Sequence, residues 1–338
     1  MKVYTSSFIF AAIALACGFY IGGFAGAWAI LVLGILEVSL SFENAVVNAS
    51  VLKNWGEVWR RRFMVWGMLI AVFGMRVVCP LLIVAILGHM GPLEVIDMAM
   101  NRPTEYASVL TSAHHQIVAF GGTFLLMVFL KFFLDNSKDV HWLKWIEHPM
   151  TKLARFTEVI VLSLLVALTM SLPAAEQSSF LIAGVCGLGI FLLVEVLGSL
   201  MGGDEGDGHG GERLIKEGIG GFMYLEVLDA SFSFDGVIGA FALSTNIFVI
   251  ALGLGIGAMF VRSMTLALVQ NDTLGKFRYL QHGAFWAVGA LALVMFLSLK
   301  LHLPEAVTGL VGAVAIAAAL WSSVCANRRE KALEAKAA

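Results

Sequence analysis

Glu37-Val38-Ser39-Leu40-Ser41-Phe42-Glu43-Asn44 returns later in the chain as Asp229-Ala230-Ser231-Phe232-Ser233-Phe234-Asp235-Gly236. In register, both copies read acid-x-Ser-x-Ser-Phe-acid, and each lies inside a long apolar stretch. A carboxylate near the centre of a bilayer costs roughly 2.5–3.5 kcal/mol even on a forgiving insertion scale, so four of them cost on the order of 10 kcal/mol. Something must offset that penalty, and a bound cation is the natural candidate.

The surrounding composition fixes the solvent. Of 338 residues, 59% are hydrophobic and only 14% charged, and the mean hydropathy is +0.87. That balance excludes an ordinary soluble domain and predicts an all-α, polytopic membrane helical bundle. Apolar runs able to span roughly 30 Å of hydrocarbon fall at 7–24, 27–50, 63–88, 110–134, 156–172, 179–200, 218–242, 246–269, 281–299 and 305–325. With ten alternating spans and a cytoplasmic N-terminus, eighteen of the 22 basic residues lie on the cytoplasmic side. Only Arg102 and Lys300 fall outside, while Arg76 and Arg262 lie within spans. This positive-inside bias predicts ten crossings with both termini in the cytoplasm. The four cysteines lack CxxC spacing, so no thiolate metal site is expected. Trp28, Trp55, Trp59, Trp66, Trp142, Trp145 and Trp321 read as interfacial anchors.

Further echoes accompany the signatures. Gly67 to Arg76 is similar to Gly253 to Arg262, and His115, Gly122, Phe129 and Leu130 share their spacing with His282, Gly289, Phe296 and Leu297. Spans one to four thus match six to nine in order. Five spans per repeat is an odd number, so the second half is expected upside down relative to the first, a recurrent transporter architecture. The expected division is a first membrane repeat over 1–172, a second over 173–325 and a cytoplasmic tail over 326–338. A Gly-rich acidic loop at about 201–217 lies inside the second repeat, and residues 138–150 suit an interfacial segment.

The chemistry follows from the side chains. On a straight helix Glu37, Ser41, Asn44 and Asn48 form one stripe, and Ser39 with Glu43 form another. Either the helix unwinds around Ser39–Ser41, or the acids serve successive positions along a path. In the second copy Glu226, Asp229, Ser233 and Gly236 share a stripe, with Ser231 and Asp235 on the next. The expected ligand set is therefore Glu37, Ser41, Glu43, Asn44, Glu226, Asp229, Ser233 and Asp235, with Arg76 and Arg262 balancing charge. All of these ligands offer hard oxygen atoms suited to Mn²⁺, Ca²⁺ or Mg²⁺. Clustered carboxylates in low dielectric do not all ionise at once without a cation, so proton exchange is the expected coupling. Glu195 reads as snorkelling or lining an entrance, His115 and His282 as helix-end residues, and Gly253, Gly255 and Gly257 as a close packing face. Nothing here matches the Gly-x-Gly-Asp pattern of intramembrane proteases, so no enzyme, resident cofactor or nucleic-acid partner is expected.

The paired motifs E-V-S-L-S-F-E-N and D-A-S-F-S-F-D-G resemble the signatures of the TerC/Alx family of bacterial integral membrane proteins, related more distantly to the LysE-type exporters. The resemblance extends over roughly 27–300. That family usually carries Asp-Asn and Asp-Ser where this chain has Glu43-Asn44 and Asp235-Gly236, so the chain resembles a divergent branch. The resemblance implies a bacterial inner-membrane location and favours manganese export. The alternative is a non-transporting membrane partner for metal loading of secreted enzymes, or for a tellurium or metal stress complex.

Overall fold

The computed structural model describes residues 2–67, 69–135, 140–201, 217–241, 243–301 and 305–337; at 2, 87, 144, 201, 234, 235, 238, 305–308 and 334–337 it describes the backbone alone. Most of the expected connector at 201–217 lies outside the described residues. Every regular element among the described residues is helical.

Helix α1 (Thr5–Leu40) leaves helical geometry at Gly22 and Gly23, where Gly23 adopts φ +59 and ψ −150. Glycine alone reaches that conformation without strain. A methyl group on Gly26 would lie 2.5 Å from the carbonyl oxygen of Gly18, although residues eight apart on a straight helix are separated by about 12 Å. The chain therefore doubles back, and α1 is a hairpin of two arms held close by Gly18 and Gly26. After a single non-helical residue, Ser41, the second arm continues as α2 (Phe42–Leu52).

Next come α3 (Glu57–Arg62), two π-helical stretches at Phe63–Gly67 and Ile70–Val78, and α4 (Cys79–Gly88). The following connection carries α5 (Pro92–Asn101) and α6 (Pro103–Ser112). It is not bare loop, because Tyr106 and Leu110 bury themselves in a cluster with Val84 and Val237. Then follow α7 (His114–Leu134), α8 (Lys144–Thr151), α9 (Thr157–Met170) and α10 (Ala174–Met201). The second signature sits on α11 (Ile219–Ala240), followed by α12 (Ile247–Gln270), the short α13 (Thr273–Lys276), α14 (Leu280–Ser298) and α15 (Glu305–Ala337).

Seven segments are long and apolar enough to cross a bilayer: α1, Glu57–Ile86, α7, α10, α12, α14 and Gly309–Leu333. An eighth is counted when Trp145–Thr151 and Ala154–Met170, bent by 59°, are taken together. The chain is a multi-pass helical membrane protein. Helix α11, about 33 Å long by its 22 residues, is set apart from that group by its three acids.

Helices α7, α10, α11, α14 and α2 surround the largest core, where Leu52, Phe124, Phe191, Leu225, Leu228 and Phe285 meet. Helix α12 lies along α1. The glycine face anticipated on α12 makes this contact possible: a methyl group on Gly253 would sit 2.6 Å from Cβ of Leu33, and one on Gly257 would overlap the side chain of Glu37. Helices α7 and α14 meet through a reciprocal contact in which Gly122 faces the Phe296 ring and Gly289 faces the Phe129 ring. Of the expected interfacial tryptophans, Trp28, Trp66, Trp145 and Trp321 are exposed, but Trp55 is 2% exposed. Trp55 is a core residue, stacked edge-on against Phe63, because the turn after α2 folds it inward rather than toward the headgroups.

Candidate functional site

The break at Ser41 decides how the first signature is presented. Ser41 has φ −107 and ψ 17, and its N–H still donates to the Glu37 carbonyl at 3.0 Å. One non-helical residue is enough to bring acids from both predicted stripes under cover, for Glu37, Ser41, Glu43, Asn44 and Asn48 are all buried. Ser39 is left outside, where its hydroxyl donates to the Ile35 carbonyl at 2.7 Å.

Arg76 stands between the two signatures. Its Nη2 donates to Glu37 Oε1 at 2.7 Å, and its Nη1 lies 3.9 Å from Asp229 Oδ2. Nη1 also donates to the Ala71 carbonyl within the same π-helical stretch. Asn44 Nδ2 donates to Asp229 Oδ1 at 2.5 Å, a bond across 185 residues of sequence. The arrangement is reciprocal: the residue seven positions after Glu37 bonds to Asp229, and a methyl group on Gly236, seven after Asp229, would lie 3.1 Å from Glu37 Oε2. Glu43 takes a different neighbour. A methyl group on Gly312 of α15 would meet its carboxylate at 3.1 Å.

Beside this cluster lies a cavity of about 40 Å³, whose polar lining is Asn48, Glu226, Asp229, Arg262 and Thr265. That is room for a few water-sized species. Gly67 completes the wall, since a methyl group there would sit 2.5 Å from Glu226 Oε1. Asn48 Oδ1, Glu226 Oε2, Asp229 Oδ2 and Arg262 Nε are buried and accept or donate no hydrogen bond among the described residues. Ser233 Oγ, one turn from Asp229, is in the same condition. Each such buried atom costs about 1–3 kcal/mol, and so many in one place is unusual for a native interior. They are the atoms that a polar or charged guest would satisfy.

The predicted residues therefore divide. Glu37, Asn44, Asp229 and Arg76 are brought together, Glu226 and Arg262 flank the cavity, and Ser41 and Ser233 are buried in the same signatures. The side chain of Asp235 lies outside the described residues. No three His, Cys, Asp or Glu side chains among the described residues converge to hold a metal ion. Arg262 makes no ion pair among the described residues, unlike Arg76. Glu195 belongs elsewhere, because Lys131 draws it and Glu158 together at 3.2 and 2.9 Å, joining α7, α9 and α10. His115 pairs with Glu176 at 3.3 Å. His282, at the start of α14 as expected, is buried, with Nε2 2.8 Å from the Val140 carbonyl. Among the polar residues of the cavity lining, Thr265 carried no sequence prediction; it follows Arg262 by three positions and so shares its helix face. Gly67 stood in the sequence only as the first residue of the repeat Gly67 to Arg76, with no role at the site.

Fold and site define a class: a multi-pass helical membrane protein with a buried, charged, oxygen-lined centre where two copies of one signature meet. Over residues 42–330 the chain matches the model of the family described as Protein of unknown function (DUF475), and it belongs to that family. The matched region takes in the whole second signature and the first from Phe42 onward. No curated protein and no solved structure matches the chain.

Proposed function

We propose that the protein is a transporter of divalent metal cations, with Mn²⁺ as the first candidate substrate, carried across the bacterial inner membrane toward the outside in exchange for protons. One observation carries this reading. Among the described side chains, four buried carboxylates, Glu37, Glu43, Glu226 and Asp229, share the region with two guanidinium groups, Arg76 and Arg262. Asp235 of the second signature adds a fifth acid, so the acids outnumber the arginines and a divalent cation would offset the excess negative charge. Carboxylate, amide and hydroxyl oxygens form a hard donor set, which favours Mn²⁺, Mg²⁺ or Ca²⁺ over softer metals. The resemblance to the TerC/Alx signatures favours manganese among these. Asn48, Glu226, Asp229 and Thr265 would take the cation at the cavity, and Glu37, Ser41, Glu43, Asn44, Ser233 and Asp235 would take it further along.

The proposed architecture is ten crossings in two inverted halves, and the packing supports it. Under a two-fold exchange of the halves, the pairing of α2 with α12 becomes that of α11 with Ile70–Val78, and the pairing of α2 with α14 becomes that of α11 with α7. All four contacts exist. The reciprocal Gly122–Phe296 and Gly289–Phe129 contacts obey the same exchange. The first span of each half does not, since the first arm of α1 packs on α12 whereas α10 packs on α7 and α11. The proposed symmetry therefore leaves out the first span of each half, while the fifth spans follow it, α9 packing on α7 as α15 packs on α14. The positive-inside bias supports a cytoplasmic position for Lys53 and Arg60–Arg62, and the cavity lies toward the helix ends that lead to them.

The test is Mn²⁺ flux into proteoliposomes, with and without a pH gradient, comparing wild type with Asp229→Asn and Glu226→Gln. Flux that follows the gradient and falls at least about tenfold in each variant is expected. Unchanged flux in Asp229→Asn would overturn the assignment. Mn²⁺ bound at these acids with no flux in wild type would transfer the reading to a metal-loading or stress-complex partner.

A further inference from the structure

The two halves carry the same charges in different states. By the sequence correspondence, Glu37 matches Asp229 and Arg76 matches Arg262. Arg76 is buried and committed, bonded to Glu37 and close to Asp229. Arg262 is half-buried and uncommitted among the described residues, with its Nε unpartnered, yet it lines the same cavity as Asp229, whose Oδ2 is also without a hydrogen bond. The elements that carry the two arginines differ as well. Arg76 rides on the π-helical stretch Ile70–Val78, and Arg262 on the regular helix α12. A π-helix holds one extra residue per turn relative to its α-helical alternative, so it can shift register at low cost and commonly marks functional positions.

We infer that Arg76 and Arg262 are alternate counter-ions of the signature acids: when the protein turns its site to the opposite face, Arg262 takes Asp229 and Arg76 releases Glu37. The inference rests on the inverted-repeat transporter reading and names the device that would drive it. In such a protein the two access states are related by exchanging the conformations of the halves. Here the exchange converts a paired Arg76 beside an Arg262 that makes no ion pair among the described residues into the reverse, while Ile70–Val78 and α12 trade their helical registers. Each state then leaves one carboxylate of the Glu37/Asp229 pair free of its own arginine and available to a cation. The other groups facing the switch are Glu226 and Asn48 in the cavity and Asn44 on Asp229. None of them carries positive charge, so among the described residues the two arginines supply the counter-charge.

The experiment places a cysteine at half-buried Ala71, on the cavity wall, in a chain whose four native cysteines are replaced by serine. Membrane-impermeant thiol reagents are applied separately to each face of oriented vesicles, with no metal present. Arg262→Gln removes the alternate partner, so labelling is expected to rise on the face to which the cavity opens and to fall at least about tenfold on the other. Glu37→Gln frees Arg76 and is expected to shift labelling the opposite way. Arg262→Lys should restore reactivity from both faces, which a loss of folding could not do. In parallel, Mn²⁺ binding to Arg262→Gln should persist while exchange is lost. Labelling unchanged in both variants, or exchange at the wild-type rate in Arg262→Gln, would overturn the inference. Absence of Mn²⁺ flux in wild type would instead defeat the transport reading, leaving the labelling shift to decide the counter-ion exchange by itself.

Discussion

At the level of single residues, the two acids that meet across the halves depend on one cation. Arg76 is 3% exposed and bonds Glu37 at 2.7 Å. Removing one partner of a buried pair strands the other, which typically costs about 3–5 kcal/mol. Arg76→Met is therefore expected to lower stability by that order in detergent, measured by thermal or denaturant unfolding. Adding Glu37→Gln should return a large part of the loss, because the stranded charge is gone, and the cycle should be clearly non-additive. Equal losses in the single and double variants would show that Glu37 is not the group Arg76 neutralises. These acids were legible in the sequence because a carboxylate in an apolar run is costly wherever it lies. The bond from Asn44 to Asp229 was not, since only the folded chain brings together residues 185 apart. The unequal states of Arg76 and Arg262 were hidden for the same reason: both appear in the sequence as one arginine in one span.

At the level of elements, the same features that place the site also depart most from regular helix. The turn at Gly22 and Gly23 separates two arms that a length rule sees as one 36-residue helix. The apolar pattern divides these spans at 25–26, and the actual turn comes three residues earlier because Gly23 alone tolerates φ +59. Gly23→Ala is expected to cost about 1–3 kcal/mol, whereas Gly22→Ala, at φ −133 with open space around it, should cost little. Comparing the melting temperatures of the two variants checks this, and equal shifts would mean that the hairpin does not depend on the left-handed glycine. Helices α5 and α6 escaped the apolar pattern because each is only ten residues long. Their signal was Pro92 and Pro103 at the first helical position, where a missing N–H costs nothing. The interruption at Ser41 was legible as one of two alternatives, forced by acids on different stripes. The π-helical stretches were not, because their residues read as ordinary apolar span.

At the level of the whole molecule, everything proposed for the site depends on α11 crossing the membrane. It is the helix that its three acids set apart from the spanning segments, and also the helix that divides the positive-inside count. If α11 crosses, the basic residues of 276–278 and 328–336 fall on the same side as Lys53 and Arg60–Arg62, the side proposed to be cytoplasmic, and Lys300 falls on the other. If it does not, the same residues fall outside, against the strong bias of the rest of the chain. Alkaline phosphatase fused after Leu301 is therefore expected to be active, and inactive when fused after Asp135 or Ala337. The reverse pattern at Leu301 and Ala337 would remove α11 from the bilayer. It would also remove the inverted relation of the halves, because α12 and α14 would then cross in the same directions as Glu57–Ile86 and α7. The Asn44–Asp229 bond and the Gly236–Glu37 contact are what the proposed inverted copies would produce, each acid meeting the seventh residue after its counterpart. Reporter activity at Leu301 alone among the three fusions is the outcome that this reciprocity requires.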